Sequence, residues 1–420
     1  MSWRLGVALL LLVLVSGISG AYGAAGEPQK RVIVVFKDKP DAELIKRHGG
    51  QVLRTYSIIP AVSAVVPESA MGRLRTSRGV AYVEEDAEVR LLRSSRSRRP
   101  SSEPSEPVQP SEVVPWGVAY VRANQVWDTD GDLSLDAGAP TGRGVRVAVL
   151  DTGIDRDHPD LVANLKGGVN FVSRSPRLPA DPTAWDDDNG HGTFVAGVIA
   201  AADNSIGVIG VAPEAWVYAV KVIDWRGRGY ESWVIAGIEW AVANGMQVIS
   251  MSLGTPQESQ ALHDAVHRAY ESGVLVVAAA GNSGDGVAAT DEVEYPARYP
   301  CVIAVGAVDS SGAVPEWSSS GPAVELSAPG VDVYSTWAGG GYYTASGTSA
   351  ATPHVSGVAA LVLSTDIAKV APSYDLNGNG AWDASEVRAW MDARARDLGA
   401  PGRDYLYGYG VVDALSSTTP

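Results

Sequence analysis

The sequence predicts an α/β protein with a doubly wound, mostly parallel sheet, preceded by a small ferredoxin-like α+β unit. The first observation is that near-continuous apolar stretches, such as Val145–Leu150 and Val274–Ala280, alternate with helical patterns such as Glu231–Ala243. Apolar strands separated by helices are typical of a parallel sheet covered on both faces. The second observation is that an earlier segment follows the order strand, helix, strand, strand, helix, strand, which indicates the ferredoxin-like unit.

The N-terminal part of the chain divides into three segments. Residues 1–25 combine a basic residue, an apolar run from Leu5 to Val15 and a group of small residues, which is the pattern of a secretory signal peptide. An uncleaved membrane anchor is the alternative, although the run is short for a bilayer. Residues 26–92 hold the small unit, and residues 93–111, rich in Arg, Ser, Pro and Glu, indicate an exposed linker.

Individual elements follow from periodicity and from glycine or proline breaks. In the small unit we expect strands at 32–36 and 80–84, a hairpin over 51–66 around Pro60, and helices at 41–48 and 68–76. In the predicted body, residues 112–420, the patterns favour strands at 145–150, 216–223, 248–253 and 274–280, and helices at 193–201, 231–243, 259–271, 355–363 and 386–397. Sites in such sheets form at the carboxyl ends of strands.

The charges are distributed unevenly along the chain. Residues 112–420 carry 37 acidic and 17 basic side chains, whereas residues 27–111 carry 15 basic and 11 acidic ones. We therefore expect the two parts to attract each other. An acidic body argues against nucleic acid as a partner and is compatible with bound divalent cations. The single cysteine, Cys301, excludes an internal disulfide, and its apolar neighbours predict a buried thiol.

Four polar residues fall at predicted strand ends or helix starts. Asp151 follows the strand at 145–150, Asn282 follows the strand at 274–280, and His191 and Ser349 each precede a run of small apolar residues. A serine hydroxyl becomes a nucleophile when a base takes its proton, and the base needs a third group to fix its tautomer. An amide donor and a helix N-terminus stabilise the oxyanion that forms. These residues predict nucleophilic catalysis.

Three motifs resemble the subtilisin family of serine peptidases: Val-Leu-Asp-Thr-Gly-Ile-Asp around Asp151, Asn-Gly-His-Gly-Thr around His191, and Gly-Thr-Ser-Ala-Ala-Thr-Pro-His around Ser349. The chain order Asp, His, Ser is that of subtilisin. The resemblance implies a catalytic triad of these three residues, with Asn282 as an oxyanion donor. It also implies that residues 26–92 are an inhibitory propeptide. Phe194 and Ala350 depart from the family, which commonly has histidine and methionine there.

The resemblance also implies the substrate cleft, in which an extended peptide is held by β-augmentation. Its primary pocket would be walled by small residues that leave room for a large apolar side chain, namely Ser252, Leu253, Gly254, Ala278, Ala279 and Ala280. Glu294, just before Tyr295-Pro296, is expected near the base of this pocket, where a carboxylate would favour basic or polar side chains. A solvated loop carboxylate is the alternative interpretation.

Three stretches are candidate calcium sites. Asp375, Asn377, Asn379 and Glu386 match an EF-hand loop with glycine at its turn, the alternative being a polar turn and helix cap. By resemblance, a second site would take side-chain or carbonyl oxygens from Glu112, Asp160, Ala202, Asn204, Ile206 and Val208. Third, the alternating carboxylates Asp128, Asp130 and Asp132 suggest a site, with a solvated acidic loop as the alternative.

The function predicted from these patterns is a secreted, extracellular serine endopeptidase made as a self-inhibited zymogen and stabilised by calcium. Its partners would be protein or peptide substrates and its own propeptide; we expect a monomer that binds neither nucleic acid nor, after signal removal, a membrane. Two alternatives remain open: a catalytically impaired peptide-binding homologue and a narrow-specificity processing protease. The Arg-rich stretch 93–99 is a hypothetical maturation site.

Overall fold

The computed structural model describes residues 27–92, 109–173, 175 and 179–420. The predicted signal peptide, the Arg-rich stretch and most of the predicted linker lie outside the described residues. The last three linker residues are described and contact the body, since the carbonyl oxygen of Pro110 accepts from Gly207 N at 2.8 Å. In the described part of the chain, no helix combines the length and the apolar character needed to cross a membrane.

Residues 27–92, here called the N-terminal unit, form an antiparallel sheet with two helices. The sheet has the order β2-β3-β1-β4, which confirms the predicted ferredoxin-like arrangement. One face of it buries Ile45 and Leu74 from the helices against apolar strand residues. The elements are β1 (Gln29–Phe36), α1 (Ala42–Arg47), β2 (Gln51–Thr55), β3 (Ala61–Pro67), α2 (Ala70–Thr76), β4 (Val80–Glu85) and a tail strand, β5 (Glu88–Leu91).

The remaining described residues, here called the body, alternate strands and helices as predicted. Several strands and short helices after residue 300 were not predicted individually. The elements are α3 (Trp116–Tyr120), α4 (Asn124–Trp127), β6 (Arg146–Asp151), β7 (Leu165–Asn170), α5 (His191–Ala200), β8 (Trp216–Lys221), β9 (Arg228–Tyr230), α6 (Glu231–Ala243), β10 (Val248–Met251), β11 (Leu253–Gly254), α7 (Gln260–Glu271), β12 (Leu275–Ala279), β13 (Ile303–Val308), β14 (Val324–Pro329), β15 (Val333–Trp337), β16 (Gly341–Ala345), α8 (Thr348–Leu363), α9 (Ile367–Val370), α10 (Ala384–Arg394) and α11 (Ala414–Thr418).

The core of the body is a seven-stranded sheet with the order β14-β13-β12-β10-β6-β8-β7. All of its strand pairs are parallel. One apolar cluster packs α5 and α8 on one face, and a second packs α6 and α7 on the other. The doubly wound α/β prediction is therefore confirmed. Helices on both faces explain why β10 and β12 are fully buried and why β12 is apolar throughout.

The register of the sheet aligns the strand ends that carry polar residues. Leu150 of β6 pairs with Met251 of β10, which pairs in turn with Ala278 of β12. The residues that follow these positions therefore lie side by side at one edge of the sheet. This edge is where Asp151 and Ser252 emerge, as expected for parallel strands.

The N-terminal unit packs against α6 and α7 through two acidic side chains. Glu84 accepts from the backbone N–H groups of Gln260 and Ala261 at 2.8 and 3.1 Å, at the start of α7. Asp86 accepts from Ser232 N at 2.9 Å, at the start of α6. Carboxylates satisfy the unpaired N–H groups and complement the positive end of a helix. The unit thus caps two helices of the body.

Candidate active site

His191 and Asp151 form a buried hydrogen-bonded pair. The Nδ1–H of His191 donates to the Asp151 carboxylate, at 2.8 Å from Oδ1 and 2.9 Å from Oδ2. Asp151 is fully buried and its Oδ1 also accepts from Thr152 N at 2.7 Å. A carboxylate that accepts the Nδ1 proton leaves Nε2 as the unprotonated nitrogen, which is the tautomer a general base requires.

Two glycines let His191 approach Asp151. Gly190 has a φ of 105°, and a Cβ there would lie 2.2 Å from the ring of Trp337. A Cβ on Gly192 would lie 2.0 Å from the carbonyl oxygen of Gly153. Both distances are far below van der Waals contact, so only glycine allows α5 to begin at this point.

Ser349 lies in the first turn of α8, a helix whose residues from Thr348 to Val362 are buried. Pro353, four residues further on, has no N–H with which to bond the carbonyl oxygen of Ser349. The hydroxyl of Ser252 donates to that oxygen instead, at 3.0 Å. This bond ties the start of α8 to the carboxyl end of β10.

His191 and Ser349 line one cavity of about 510 Å³, together with Trp225, Trp337 and Tyr343. The Nε2 atom of His191 is buried and has no hydrogen-bond partner among the described residues. The unpaired Nε2 atom can therefore accept a hydrogen bond from the hydroxyl of Ser349. In catalytic pairs of this kind the hydrogen bond often shortens only when substrate is bound.

Asn282 is oriented by the start of α8. Its Oδ1 accepts from the backbone N–H and from the hydroxyl of Thr348, both at 2.9 Å. The amide is therefore fixed with its Nδ2 group facing outward. That group donates to the carbonyl oxygen of Leu92 at 2.7 Å.

The tail strand β5 occupies the adjacent cleft as an added strand. It lies between β11 and β9, pairing antiparallel with both, so that Leu91 faces Leu253 and Val89 faces Gly229. A Cβ placed on Gly347 would lie 2.9 Å from Ser349 Oγ and 3.2 Å from both Asn282 Nδ2 and the oxygen of Leu92. The carbonyl oxygen of Leu92, the serine hydroxyl and the amide donor therefore all lie around one small space, within 3.2 Å of that Cβ position.

The predicted pocket residues divide into two groups. Ser252, Leu253 and Gly254 run along the tail, with the N–H of Leu92 at 3.5 Å from the carbonyl oxygen of Ser252. Ala278, Ala279 and Ala280 are buried at the end of β12, and the oxygen of Ala280 accepts from Glu294 N at 2.8 Å.

Glu294 lies next to the side chain of Leu92. A Cβ placed on Gly254 would lie 2.9 Å from Glu294 Oε2 and 3.1 Å from Leu92 Cδ1. The carboxylate and the leucine thus face the same point of the pocket. Burial raises the pKa of Glu294, and the hydroxyl of Ser283, 3.4 Å from its Oε1, partly opposes the rise.

Part of the second candidate calcium set is brought together. Asn204 Nδ2 donates to Asp160 at 3.1 Å, and Glu112 accepts from Asn204 N at 2.9 Å. Asp160 is fully buried, and burial, with a contribution from Glu112, raises its pKa to about 7. Ala202, Ile206 and Val208 lie in the same loop, where Val208 N donates to Asp160 at 2.9 Å. Two carboxylates and an asparagine side chain thus lie close together, and carboxylate and amide oxygens are among the ligands that calcium takes.

The other two candidate sets differ in geometry. Asp128, Asp130 and Asp132 place carboxylate oxygens within 4.8 Å of one another. In the EF-hand-like loop, Asp375 accepts from Asn379 N at 3.0 Å and Asn377 Nδ2 lies 3.4 Å from Glu386. Glu386 is buried and accepts from the backbone N–H groups of Leu376 and Asp383, both at 3.0 Å. Its oxygens therefore cap the loop and helix α10.

Sequence reasoning did not single out Thr348, Pro353 or Glu231. Thr348 orients Asn282, and Pro353 frees the carbonyl of Ser349. Both lie within the motif around Ser349. Their positions, one residue before and four residues after the serine, are the sequence feature that could have predicted these roles. Glu231 is buried beneath the N-terminal unit, and no local pattern distinguishes it from an ordinary first-turn helix glutamate.

Comparison with known proteins gives consistent matches. The family model described as Subtilase family matches residues 142–410. Subtilisin E of Bacillus subtilis is 38% identical over 418 residues, covering 98% of this chain and 96% of that protein. A thermostable alkaline protease of Halalkalibacterium halodurans is 39% identical over 419 residues, covering 100% of both chains. A subtilisin of Bacillus pumilus is 44% identical over 307 residues, covering 73% of this chain and 99% of that protein.

The close approach at Gly192 predicts that Gly192→Ala displaces the start of α5. We expect a loss of about 2 kcal/mol or more in stability, because the methyl group meets the backbone of Gly153. The low-field proton resonance of the hydrogen-bonded His191 imidazole should also disappear from the NMR spectrum. Gly72→Ala is the control, since a Cβ there meets nothing within 4 Å. An unchanged imidazole resonance in Gly192→Ala would contradict the packing argument.

Proposed function

The chain belongs to the subtilase family, and from this premise we propose that it is a secreted serine endopeptidase, made as a zymogen, that hydrolyses peptide bonds in proteins. The observation that carries the proposal is that Ser349 Oγ, Asn282 Nδ2 and the carbonyl oxygen of Leu92 all lie within 3.2 Å of the position that a Cβ on Gly347 would take. We assign Asp151, His191 and Ser349 as the catalytic triad and Asn282 as the oxyanion donor.

The reaction proceeds in two halves. Ser349 Oγ attacks the substrate carbonyl carbon while His191 Nε2 takes the hydroxyl proton, and Asn282 Nδ2 donates to the oxyanion. His191 then gives its proton to the leaving amine as the carbon–nitrogen bond breaks, which leaves an acyl-enzyme. Water attacks the ester carbonyl carbon while His191 takes a proton from it. The carbon–Oγ bond then breaks, His191 returns the proton to Ser349 Oγ, and the acid product ionises as it leaves. Asp151 holds the imidazole and stabilises its charged form.

The N-terminal unit acts as the inhibitory propeptide in this proposal. Its tail strand fills the cleft between β9 and β11, where a substrate would add as a strand. Because the carbonyl of Leu92 already accepts from Asn282, the bond between Leu92 and Arg93 is the proposed maturation site. The sequence predicted a maturation site somewhere in the Arg-rich stretch 93–99, and we now propose that the cut lies directly before its first residue, Arg93.

Secretion is proposed from the signal-peptide pattern of residues 1–25 and from the relatives. One of these is named a minor extracellular protease and is 35% identical to the whole chain. The alternative is a catalytically impaired homologue. Such a protein would lack one of the groups that the proposed mechanism needs. His191, bonded to Asp151 and unpaired at Nε2, and the oriented Asn282 favour an active enzyme.

Glu294 is proposed to set the preference of the primary pocket. Its carboxylate lies where the side chain of Leu92 ends, so a lysine or arginine in that place would bring its charge to Glu294. A leucine buries apolar surface but leaves the carboxylate without a cation. We therefore propose that the pocket accepts both apolar and basic side chains. Its preference for basic side chains increases as Glu294 ionises.

Calcium is proposed as a structural ion, bound first of all by the loop that contains Asn204. Glu112, Asp160 and Asn204 would supply side-chain oxygens, and Ala202, Ile206 and Val208 carbonyl oxygens. A divalent cation would compensate the buried Asp160 and reverse the rise of its pKa. The loops at Asp128, Asp130 and Asp132 and at Asp375, Asn377, Asn379 and Glu386 are proposed as weaker sites.

Replacing Ser349 tests the mechanism and the maturation site together. In the wild type we expect the precursor to split, with a body whose N-terminal residue is Arg93. In Ser349→Ala the nucleophile is gone, so the chain should stay intact and have no peptidase activity. Gel electrophoresis and N-terminal sequencing measure both. Equal processing of the two proteins would refute self-cleavage, and a body beginning elsewhere would refute cleavage after Leu92.

Glu294→Gln tests the pocket. A charge-assisted hydrogen bond contributes roughly 1.5–3 kcal/mol, so we expect kcat/KM for substrates with Arg before the cleaved bond to fall by about 10–100-fold relative to Leu substrates. In the wild type the relative rate on Arg should decline in acid, because the raised pKa of Glu294 favours its neutral form. The exposed Glu258→Gln is the control. An unchanged Arg-to-Leu ratio in Glu294→Gln would contradict the assignment.

Asp160→Asn tests the calcium proposal. Excess chelator should lower the melting temperature of the wild type, because an ion at a hundred times its dissociation constant adds about 2.7 kcal/mol of stability. The variant should lose most of that shift, whereas Asp309→Asn, at an ordinary acidic turn, should keep it. The difference in melting temperature with and without chelator should be larger at pH 8 than at pH 5.5, since protons compete with calcium for the carboxylates. A wild-type melting curve unchanged by chelator would refute a structural ion.

A further inference from the structure

A buried carboxyl group lies between the N-terminal unit and the body. Glu231 is the first residue of α6, and only 1% of its surface is exposed. Neither of its carboxylate oxygens has a partner with hydrogen-bond geometry among the described residues. The unit covers it directly, since Glu231 N donates to the oxygen of Ala87 at 3.0 Å.

The donors that could stabilise a charge on Glu231 are already used. Ser232 N, the next N–H of α6, donates to Asp86 at 2.9 Å, as does the Ser232 hydroxyl at 2.7 Å. Arg31 lies 2.8 Å from Asp86, with its guanidinium over the ring of Tyr230. The helix end and the nearest cation therefore compensate Asp86 rather than Glu231.

Among the described residues, the other groups that face Glu231 include two carboxylates and no cation. From the unit, Glu84 and Asp86 are acidic; from the body, Ser259 is neutral and Tyr299 donates its hydroxyl proton to the oxygen of Ser259 at 2.6 Å. His263, which stacks edge-on against Tyr299 at 5.0 Å, is a titratable group one shell further out. Burial raises the pKa of Glu231 to about 8; the hydroxyl of Ser259 partly opposes the rise, and Asp86 and Glu84 add to it.

We infer that the N-terminal unit binds the body together with a proton on Glu231, so that rising pH releases the unit and its inhibition. This rests on the proposed function of the unit as an inhibitory propeptide. When the unit leaves, Glu84, Asp86 and Ala87 leave with it, and Glu231 becomes exposed and ionises. A group that binds its proton more tightly in the complex weakens the complex as pH rises. The dissociation constant therefore rises with pH between the ordinary pKa of a glutamate and about pH 8.

The test uses the full chain as a two-piece complex. Ser349→Ala prevents self-digestion, and a recognition sequence for an unrelated protease, inserted between residues 100 and 101, allows the chain to be nicked. Dissociation of the two pieces is then measured by analytical ultracentrifugation from pH 5.5 to pH 8.5. For one coupled proton the dissociation constant approaches a tenfold rise per pH unit, or about 100-fold between pH 5.5 and pH 7.5.

Two variants remove the titrating group in different ways. Glu231→Gln resembles the protonated acid and Glu231→Met replaces it with an apolar side chain, so both complexes should stay tight and lose the pH slope. Glu239→Gln is the matched control on the same helix. Glu239 accepts from Ser57 and Ile58 of the unit, and these bonds hold its pKa below the ordinary value. This variant should weaken binding equally at every pH in the range and keep the slope.

The outcomes separate the two proposals. If the nicked pieces do not associate at any pH, the inhibitory role of the unit fails. If they associate with a dissociation constant that does not change with pH, the inhibitory role stands and the proton coupling is refuted. A slope that persists in both Glu231→Gln and Glu231→Met would assign the effect to another group, such as His263, and would also refute the inference.

Discussion

Helix α8 is buried against the parallel sheet along almost its whole length, and its first turn carries Ser349, the proposed nucleophile. The position of this helix determines the rest of the site. Thr348 orients Asn282, and the carbonyl of Ser349 accepts from Ser252 at the end of β10. Because β10 pairs in register with β6, the same sheet that anchors α8 also holds Asp151. Packing of an apolar helix thus fixes the relative positions of polar groups that are up to about two hundred residues apart in sequence.

The sequence was most informative where local pattern and chemistry coincide. Apolar runs and glycine breaks predicted β6, α6, α7 and β12 closely. Strands that are buried on both faces are almost entirely apolar, and helices show an apolar residue every three or four positions, so both are visible in the sequence. The strand-end positions of Asp151 and Asn282 followed from the same pattern. Strands β15 and β16 were not predicted, because they pair only with each other and β16, with Gly341 and Thr344, lacks the apolar run of a strand buried on both faces.

Other features depend on tertiary contacts that no local pattern records. Glu231 looks like any acidic first-turn residue, and its N–H group donates to Ala87 of the N-terminal unit, a contact that no local pattern predicts. Glu386 matched a metal-ligand spacing, yet in the folded chain its oxygens accept from two backbone N–H groups. Carboxylates serve both as helix caps and as metal ligands, so spacing alone does not distinguish the two uses.

The order of strands in the parallel sheet bears on how the body reaches its fold. β6 pairs with β8 and β10, which follow it by about 70 and 100 residues, so long loops must close before these contacts form. Such topologies nucleate slowly, whereas the N-terminal unit pairs strands within a short segment. Once folded, the unit offers Glu84 and Asp86 to the starts of α7 and α6, the two helices that cover one face of β10. If the unit is removed as the proposed function requires, the body keeps its long-range strand pairings and loses these two caps, so its working life would be set by its unfolding rate rather than by an equilibrium.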